Sequence, residues 1–238
     1  MSIRLPFGRG AFFVAAFAFA LAALFPLGLA IRWLGLEERG LAARAAQGSV
    51  WLGALKEAQL GRAPVGDVSA RLNSLPLLLG RARVSLARAE QANPFEGAAT
   101  ISRHGFGFDD VTGRLQLGGL LAPLPITALD LEDVSAGFAS GLCSRAEGRV
   151  RATVTGQIGG MTLASGLAGA PTCAADAVLI PLVSQSGMEQ LNVRFFADGR
   201  YRVELAVRTG DAVLVQQLTA AGFTAGNGGF VRIVEGAF

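Results

Sequence analysis

The sequence predicts a mainly β protein, with a single N-terminal transmembrane helix followed by a long, curved, mostly antiparallel sheet and one or two short helices. One uncharged apolar run of 21 residues opens the chain, from Ala11 to Ile31. Beyond it, apolar and polar residues alternate with a period of two, and Gly and Pro recur at short intervals, as is typical of all-β folds. No long helical pattern alternates with these segments, which argues against a parallel β-α-β architecture.

The apolar run predicts one membrane span. At ~1.5 Å per residue a helix of this length rises about 31 Å, which matches the ~30 Å hydrocarbon core of a bilayer. Arg32 and Trp33 follow directly and are typical of a membrane interface, so we expect the transmembrane helix at residues 11–32. The alternative is a cleaved signal peptide, because Arg4 and Arg9 form a basic leader, although a cleavable apolar core usually has only ~7–15 residues.

The charged flanks of the run predict its orientation. The leader carries arginines without acids, whereas the other flank mixes signs at Glu37, Glu38 and Arg39. Because cytoplasmic flanks are enriched in Lys and Arg, we expect residues 1–10 in the cytoplasm. Residues 33–238 then form one domain outside it.

The residues after the run predict a short helix and then strands. The Ala-rich residues 37–47 favour a juxtamembrane helix that ends at Gly48. In three later segments apolar residues alternate with polar ones, as in half-buried antiparallel strands with one polar face. The apolar positions are Val84 and Leu86, Leu115 and Leu117, and Val150, Ala152 and Val154.

The clearest predicted hairpin has its loop at residues 197–199. A three-residue loop there pairs apolar residues with each other, for example Phe195 with Tyr201, whereas a two-residue loop would mix the two faces. The longer loop needs Gly199 in the left-handed conformation, at a bulge.

A short helix and a last strand are predicted after this hairpin. Asp211 is a good N-cap, and Gly222 a good stop, for a helix over residues 211–221. The final strand is expected at residues 229–235.

The charge balance argues against a nucleic-acid partner. The chain has a net charge of +3, but without the two arginines of the leader 19 basic residues stand against 18 acidic ones. A nucleic-acid-binding protein needs a clustered basic face, and the sequence has none.

The two cysteines, Cys143 and Cys173, favour a disulfide. Outside the cytoplasm a cysteine pair is more often a disulfide than a metal or redox site. Closing a loop of ~30 residues would stabilise the fold by about 3–4 kcal/mol. Two free thiols remain the alternative. A zinc site is not expected, because the only other soft donor is His104.

No set of residues predicts catalysis or a cofactor. His104 lies in a Gly-flanked turn, which is typical of a surface loop. Two adjacent carboxylate pairs, at residues 109–110 and 132–133, would point to opposite faces of a strand. We expect these pairs at solvated loop ends.

Short motifs in a fixed order run through the chain after the apolar run. They are Gly48–Gly53 (GSVWLG), Gly66–Val68, Pro76–Arg81 (PLLLGR) leading into Ala82–Leu86, Leu124–Ile126 with Leu129–Leu131 (LDL), Gly141–Cys143 with Ala146–Val150, Gly166–Gly169 with Cys173 and Leu179–Leu182, and Leu218–Phe223 with Phe230–Gly236. Together with the apolar run and the cysteine pair, this order resembles the protein N family of type II secretion systems. Leu52 departs from the family, which often has a small polar residue after the tryptophan.

The resemblance implies a subunit anchored in the bacterial inner membrane, with its bulk in the periplasm, that serves the export of folded proteins across the outer membrane. Its implied partners are other inner-membrane and periplasmic subunits of that system, and it implies no catalytic residue and no cofactor. A more distant similarity to AsmA-type envelope proteins implies a half-barrel-like sheet with an apolar trough. The alternative function is therefore a module that binds or transfers lipid, which an apolar content of 51% fits, although a filled core explains the same content.

Overall fold

A computed structural model describes residues 9–33, 41–60, 63–88, 94–117, 121–122, 124–155, 157–158, 161–162, 166–226 and 228–237. Within these ranges the helices are α1 (Arg9–Ala23), α2 (Leu27–Trp33), α3 (Ser74–Leu78) and α4 (Ala212–Ala220). The strands are β1 (Leu41–Ala42), β2 (Ala45–Gly48), β3 (Gly53–Leu60), β4 (Ala63–Asn73), β5 (Arg81–Arg88), β6 (Phe95–Ser102), β7 (Gly105–Gln116), β8 (Ile126–Ala139), β9 (Leu142–Val154), β10 (Gln157–Ile158), β11 (Met161–Thr162), β12 (Gly166–Gly169), β13 (Thr172–Ala174), β14 (Ala177–Ser184), β15 (Glu189–Phe196), β16 (Arg200–Val207), β17 (Thr224–Gly226) and β18 (Gly229–Ala237).

Sixteen of the strands in these ranges form one antiparallel sheet. Its order is β1-β3-β4-β5-β6-β7-β8-β9-β12-β14-β15-β16-β18-β17, with β2 also on β3 and β13 also on β14, while β10 and β11 pair separately. The sheet is open, since β1 and β17 stand at opposite ends of this order. The predicted mainly β class with a long antiparallel sheet is confirmed.

Alternation along β9 gives the sheet an apolar face and a polar face. Val150, Ala152 and Val154 are buried, whereas Arg149 and Arg151 between them are exposed. Directly opposed residues of antiparallel strands lie on the same face. The strand pairing therefore extends both faces across the sheet.

The main core lies on the apolar face of the C-terminal strands, together with α4. Leu218 of α4 is fully buried and belongs to a core cluster that also contains apolar side chains from β8, β9, β14, β15 and β16. The helix begins where the Asp211 carboxylate accepts a hydrogen bond from the Val213 backbone N–H at 2.8 Å. It ends before Gly222, which has a φ of +82°. The predicted cap and end of this helix are confirmed.

The predicted hairpin is confirmed in β15 and β16. Phe195 lies opposite Tyr201, and Val193 lies opposite Val203. Gly199 has a φ of +84°, the left-handed conformation that the three-residue loop requires. The final strand is also present, as β18.

The N-terminal apolar run forms two helices, not the single helix predicted from Ala11 to Ile31. The break falls between α1 and α2, because Pro26 has no backbone N–H and its ring disfavours a continuous helix. Here the Phe25 carbonyl accepts a hydrogen bond from the Val50 N–H at 3.0 Å, and Pro26 forms a bridge with Ser49. In the described part of the chain, none of the helices combines the length and hydropathy that crossing a bilayer requires.

The two N-terminal helices have different surroundings. Ile31 of α2 is buried against Leu55 and Ala58 of β3, so α2 packs on the apolar face at the start of the sheet. The apolar side chains of α1 are exposed instead. They include Phe12, Phe13, Val14, Phe17, Phe19 and Leu21.

The predicted juxtamembrane helix over residues 37–47 is wrong where the structure describes it. Residues 41–42 and 45–48 are the strands β1 and β2, and both pair with β3. The helix preference of alanine is weak, and here pairing with β3 outweighs it, with Ala46 packed beside α2. Arg4, Glu37, Glu38 and Arg39 lie outside the described residues.

Candidate interaction surfaces

Apolar residues on the middle strands are not covered by a helix of the described chain. Phe106 of β7 lies opposite Ile101 of β6 and Phe138 of β8, with the Phe106 and Phe138 ring centroids 5.4 Å apart. Ile101, Phe106 and Phe108 are 52%, 42% and 47% exposed. Phe138 also packs against the main core, so this surface continues the apolar face.

The same surface extends toward β4. Phe108 lies opposite Ala99 on β6, Ala99 opposite Val84 on β5, and Val84 opposite Leu72 on β4. Among the described elements, α2 packs beside β2 and β3, and α4 packs on the C-terminal core. The uncovered apolar face, as we call it, consists of Leu72, Val84, Ala99, Ile101, Phe106 and Phe108.

The polar face carries an ion-pair cluster around Asp109, whose side chain is only 16% exposed. The Asp109 carboxylate accepts hydrogen bonds from Arg83 at 3.2 Å, from the Thr100 hydroxyl at 2.6 Å, and from Arg145. These four residues join β5, β6, β7 and β9. The cluster thus ties four strands together on the polar face of the sheet, with Arg145 reaching Asp109 across β8.

Both adjacent carboxylate pairs lie within strands, so their predicted place at loop ends is wrong. Asp110 and Asp133 have φ values of +52° and +49°, at irregularities in the pairing of β7 with β8 and of β8 with β9. A bulge interrupts the alternation of side chains. Arg83 can therefore reach both Asp109, at 3.2 Å, and Asp110, at 3.5 Å.

Replacing Asp109 by Ala is expected to lower the free energy of unfolding by about 1–3 kcal/mol, because it leaves the partly buried donors of Arg83 and Thr100 without this acceptor. The matched control is Glu132→Ala. The Glu132 side chain, 59% exposed, reaches Arg149 only at 3.8 Å, and such surface pairs contribute about 0–1 kcal/mol. Urea unfolding of both variants in detergent micelles measures the difference. Equal losses would contradict a special role for the Asp109 cluster.

One edge of the sheet is open at β18. β17 pairs with β18 only through residues 229–231, while β16 pairs with it from Phe230 to Ala237. On the side away from β16, no described strand pairs with Arg232 to Ala237. Gly226 and Gly229 close the β17–β18 hairpin, so the backbone N–H and C=O groups of Gly229 point toward β17. Because this direction alternates along a strand, we expect the backbone groups of Ile233 and Glu235 to point to the same side, away from β16.

Cys143 of β9 and Cys173 of β13 form the disulfide that the sequence favours, with their Cα atoms 5.4 Å apart. The Cys143 backbone N–H also donates to the Ala175 carbonyl at 3.1 Å. The bond therefore links β9 to the β13–β14 hairpin, in which β13 follows β12 along the same side of β14.

Two exposed aspartates have lowered pKa values. The Lys56 ammonium donates to Asp67 at 2.6 Å and the Glu57 N–H donates at 2.9 Å, and these bonds lower the pKa of Asp67. The Arg200 backbone N–H and guanidinium lower the pKa of Asp198 at the hairpin loop. Both carboxylates therefore favour the fold while ionised, and this contribution is lost as the pH falls through their lowered pKa values.

The remaining sequence candidates do not converge on a chemical site. His104 is exposed in the β6–β7 turn, as predicted. Arg32 is at the end of α2, and the side chain of Trp33 lies outside what the structure describes. No group of three or more His, Cys, Asp or Glu side chains in the described ranges could hold a metal ion.

A model of the family "Type II secretion system (T2SS), protein N" matches residues 39–234. The chain belongs to this family. The match covers most of the chain and reaches from β1 into β18, so it includes the uncovered apolar face, the Asp109 cluster and the disulfide. No curated protein and no solved structure matches the chain.

Membership in the protein N family implies interaction with other components of the type II secretion system and association with the cell envelope. Sequence reasoning did not find the Asp109 cluster, because its four residues come from four strands whose register was unknown. It also did not locate the open edge at β18, which depends on the short length of β17.

Proposed function

We propose that this chain is an inner-membrane-anchored periplasmic subunit of the type II secretion system, with a structural and interaction role in the export of folded proteins. Family membership supports the secretion role. The open edge of β18 supports the interaction role, since a free edge offers backbone donors and acceptors to a strand of another protein.

The anchor in this proposal is α1, with residues 1–10 in the cytoplasm and residues 33–238 in the periplasm. Its 15 residues rise about 22 Å, less than the ~30 Å hydrocarbon core, so the proposal requires the bilayer to thin around α1. Its support is the exposed apolar surface of α1, which water solvates poorly, together with the basic leader before it. The disulfide is compatible with this placement, because the periplasm is an oxidising compartment.

The export of type II substrates tests the proposal in the bacterium that carries the chain. Deleting the gene is expected to abolish export of at least one type II substrate, and the wild-type gene restores it. Unaltered export of every type II substrate after deletion would refute the secretion role.

Ile233→Pro tests the edge itself. Proline removes one outward backbone donor from β18, so we expect this variant to accumulate normally yet fail to restore export. Ile233→Ala keeps the donor and is the matched control, expected to restore export. Equal export by the two variants would argue against strand addition at β18.

A second candidate function, binding of lipid acyl chains, is favoured by the uncovered apolar face, because exposed apolar patches often mark binding sites. Full-length protein in detergent would then bind a fluorescent fatty-acid probe. Phe106→Glu should abolish this binding, while Val213→Glu, at an exposed position of α4, should not. No probe binding by the wild-type protein would remove this candidate.

A further inference from the structure

The junction between α1 and α2 lies at one end of the sheet. Phe25 and Pro26 contact the turn at Val50 and Ser49, which precedes β3. From there α2 runs back along β3, since Leu27 packs over Gly53 and Ile31 packs against Leu55 and Ala58.

Because α2 packs along β3, the boundary of a membrane around α1 would fall before α2. Arg32 lies six residues beyond Pro26 along α2, a rise of about 9 Å on the side of the sheet. With α1 in a bilayer, the boundary then falls near Leu24–Pro26. The sequence alone had placed it at Arg32 and Trp33.

Exposed leucines gather at the same end of the sheet. The Leu72 N–H donates to the Val50 carbonyl at 3.1 Å, which sets the end of β4 beside the turn that holds Leu52. α3 follows β4 directly, and Leu75 and Leu79 are 76% and 80% exposed. We call Leu52, Leu75, Leu77 and Leu79 the leucine rim; all four are exposed.

The charges near the leucine rim are of one sign. Residues 49–52, 74–81 and 102–105 contain Arg81 and Arg103 but no Asp or Glu. Arg103 lies beside Gly80, just after α3. Exposed leucines flanked by arginines complement an anionic bilayer surface, where apolar side chains enter the boundary and cations contact the headgroups.

We propose that the leucine rim is a second membrane contact, in which Leu75 and Leu79 enter the headgroup region of an anionic bilayer beside α1. Two contacts on one end of the sheet would fix how the domain stands on the membrane, whereas a lone helix would leave it free to tilt. The geometry rests on the proposed anchoring by α1. Acids return at Asp176 and Asp198 in turns farther along the sheet, which limits the contact to the N-terminal strands.

Photo-crosslinking to lipid tests this contact in full-length protein. Single p-benzoylphenylalanine residues replace Leu79 in the rim, Phe17 in α1 and Val213 in α4, the last near the opposite strand ends and 62% exposed. All three positions are exposed, so we expect the fold to tolerate the change. The proteins are reconstituted in nanodiscs of phosphatidylethanolamine and phosphatidylglycerol, irradiated, and analysed for phospholipid adducts by mass spectrometry.

We expect phospholipid adducts at positions 79 and 17 and none at position 213. Adducts at 17 without adducts at 79 would overturn the leucine rim and leave the anchor intact. Adducts at 79 without adducts at 17 would support the rim and refute the anchor. Equal adducts at 79 and 213 would overturn the rim, since a non-specific encounter with lipid would then explain both.

Discussion

Removing the Cys143–Cys173 disulfide is expected to lower the free energy of unfolding by about 3–4 kcal/mol, because a loop closed over a sequence separation of 30 residues restricts the unfolded chain. The bond also joins β9 to the β13–β14 hairpin, near the centre of the strand order. Urea unfolding of the Cys143→Ser/Cys173→Ser variant, compared with the wild type, measures the loss.

A reductant provides the control for this prediction. It should destabilise the wild-type protein by a similar amount and leave the double variant unchanged. An unaltered unfolding midpoint for the reduced wild-type protein would contradict a stabilising role of the bond.

Leu218→Ala is expected to cost about 2–5 kcal/mol, since it leaves a cavity between α4 and the strands of the main core. Leu218 is 0% exposed and belongs to the main core cluster, so its truncation removes buried apolar surface. Val213→Ala on the same helix removes an exposed side chain and should change stability by about 0.5 kcal/mol or less.

Thermal or urea unfolding of the two α4 variants separates these effects. Similar small losses for both would mean that α4 contributes little to the core. Such a result would also contradict the packing of α4 on the apolar face of the C-terminal strands.

Sequence reasoning succeeded where local chemistry and strand pairing agreed. The β15–β16 register follows from the pairing of Phe195 with Tyr201, because a shift of one residue would turn apolar side chains to the polar face. The start of α4 follows from the Asp211 cap. Both signals lie within about a dozen residues of the elements they define.

The sequence-based predictions failed where a distant contact decided the structure. The Ala-rich residues 41–48 form strands because β3 is available for pairing. The apolar run breaks at Pro26, which disfavours a continuous helix, and the turn at Ser49–Val50, distant in the sequence, bonds to the freed backbone. The bulges at Asp110 and Asp133 depend on how β7, β8 and β9 pair, which alternation in a single segment does not reveal.

Site-specific crosslinking in living cells tests most directly whether the open sheet contacts the secretion system. p-Benzoylphenylalanine at Ile233, on the open edge of β18, should form an adduct with another type II secretion component, identified by mass spectrometry. The same probe at Glu132, exposed within the sheet, should form none. An Ile233 variant that restores export yet forms no adduct with any secretion component would contradict an interaction role for this edge.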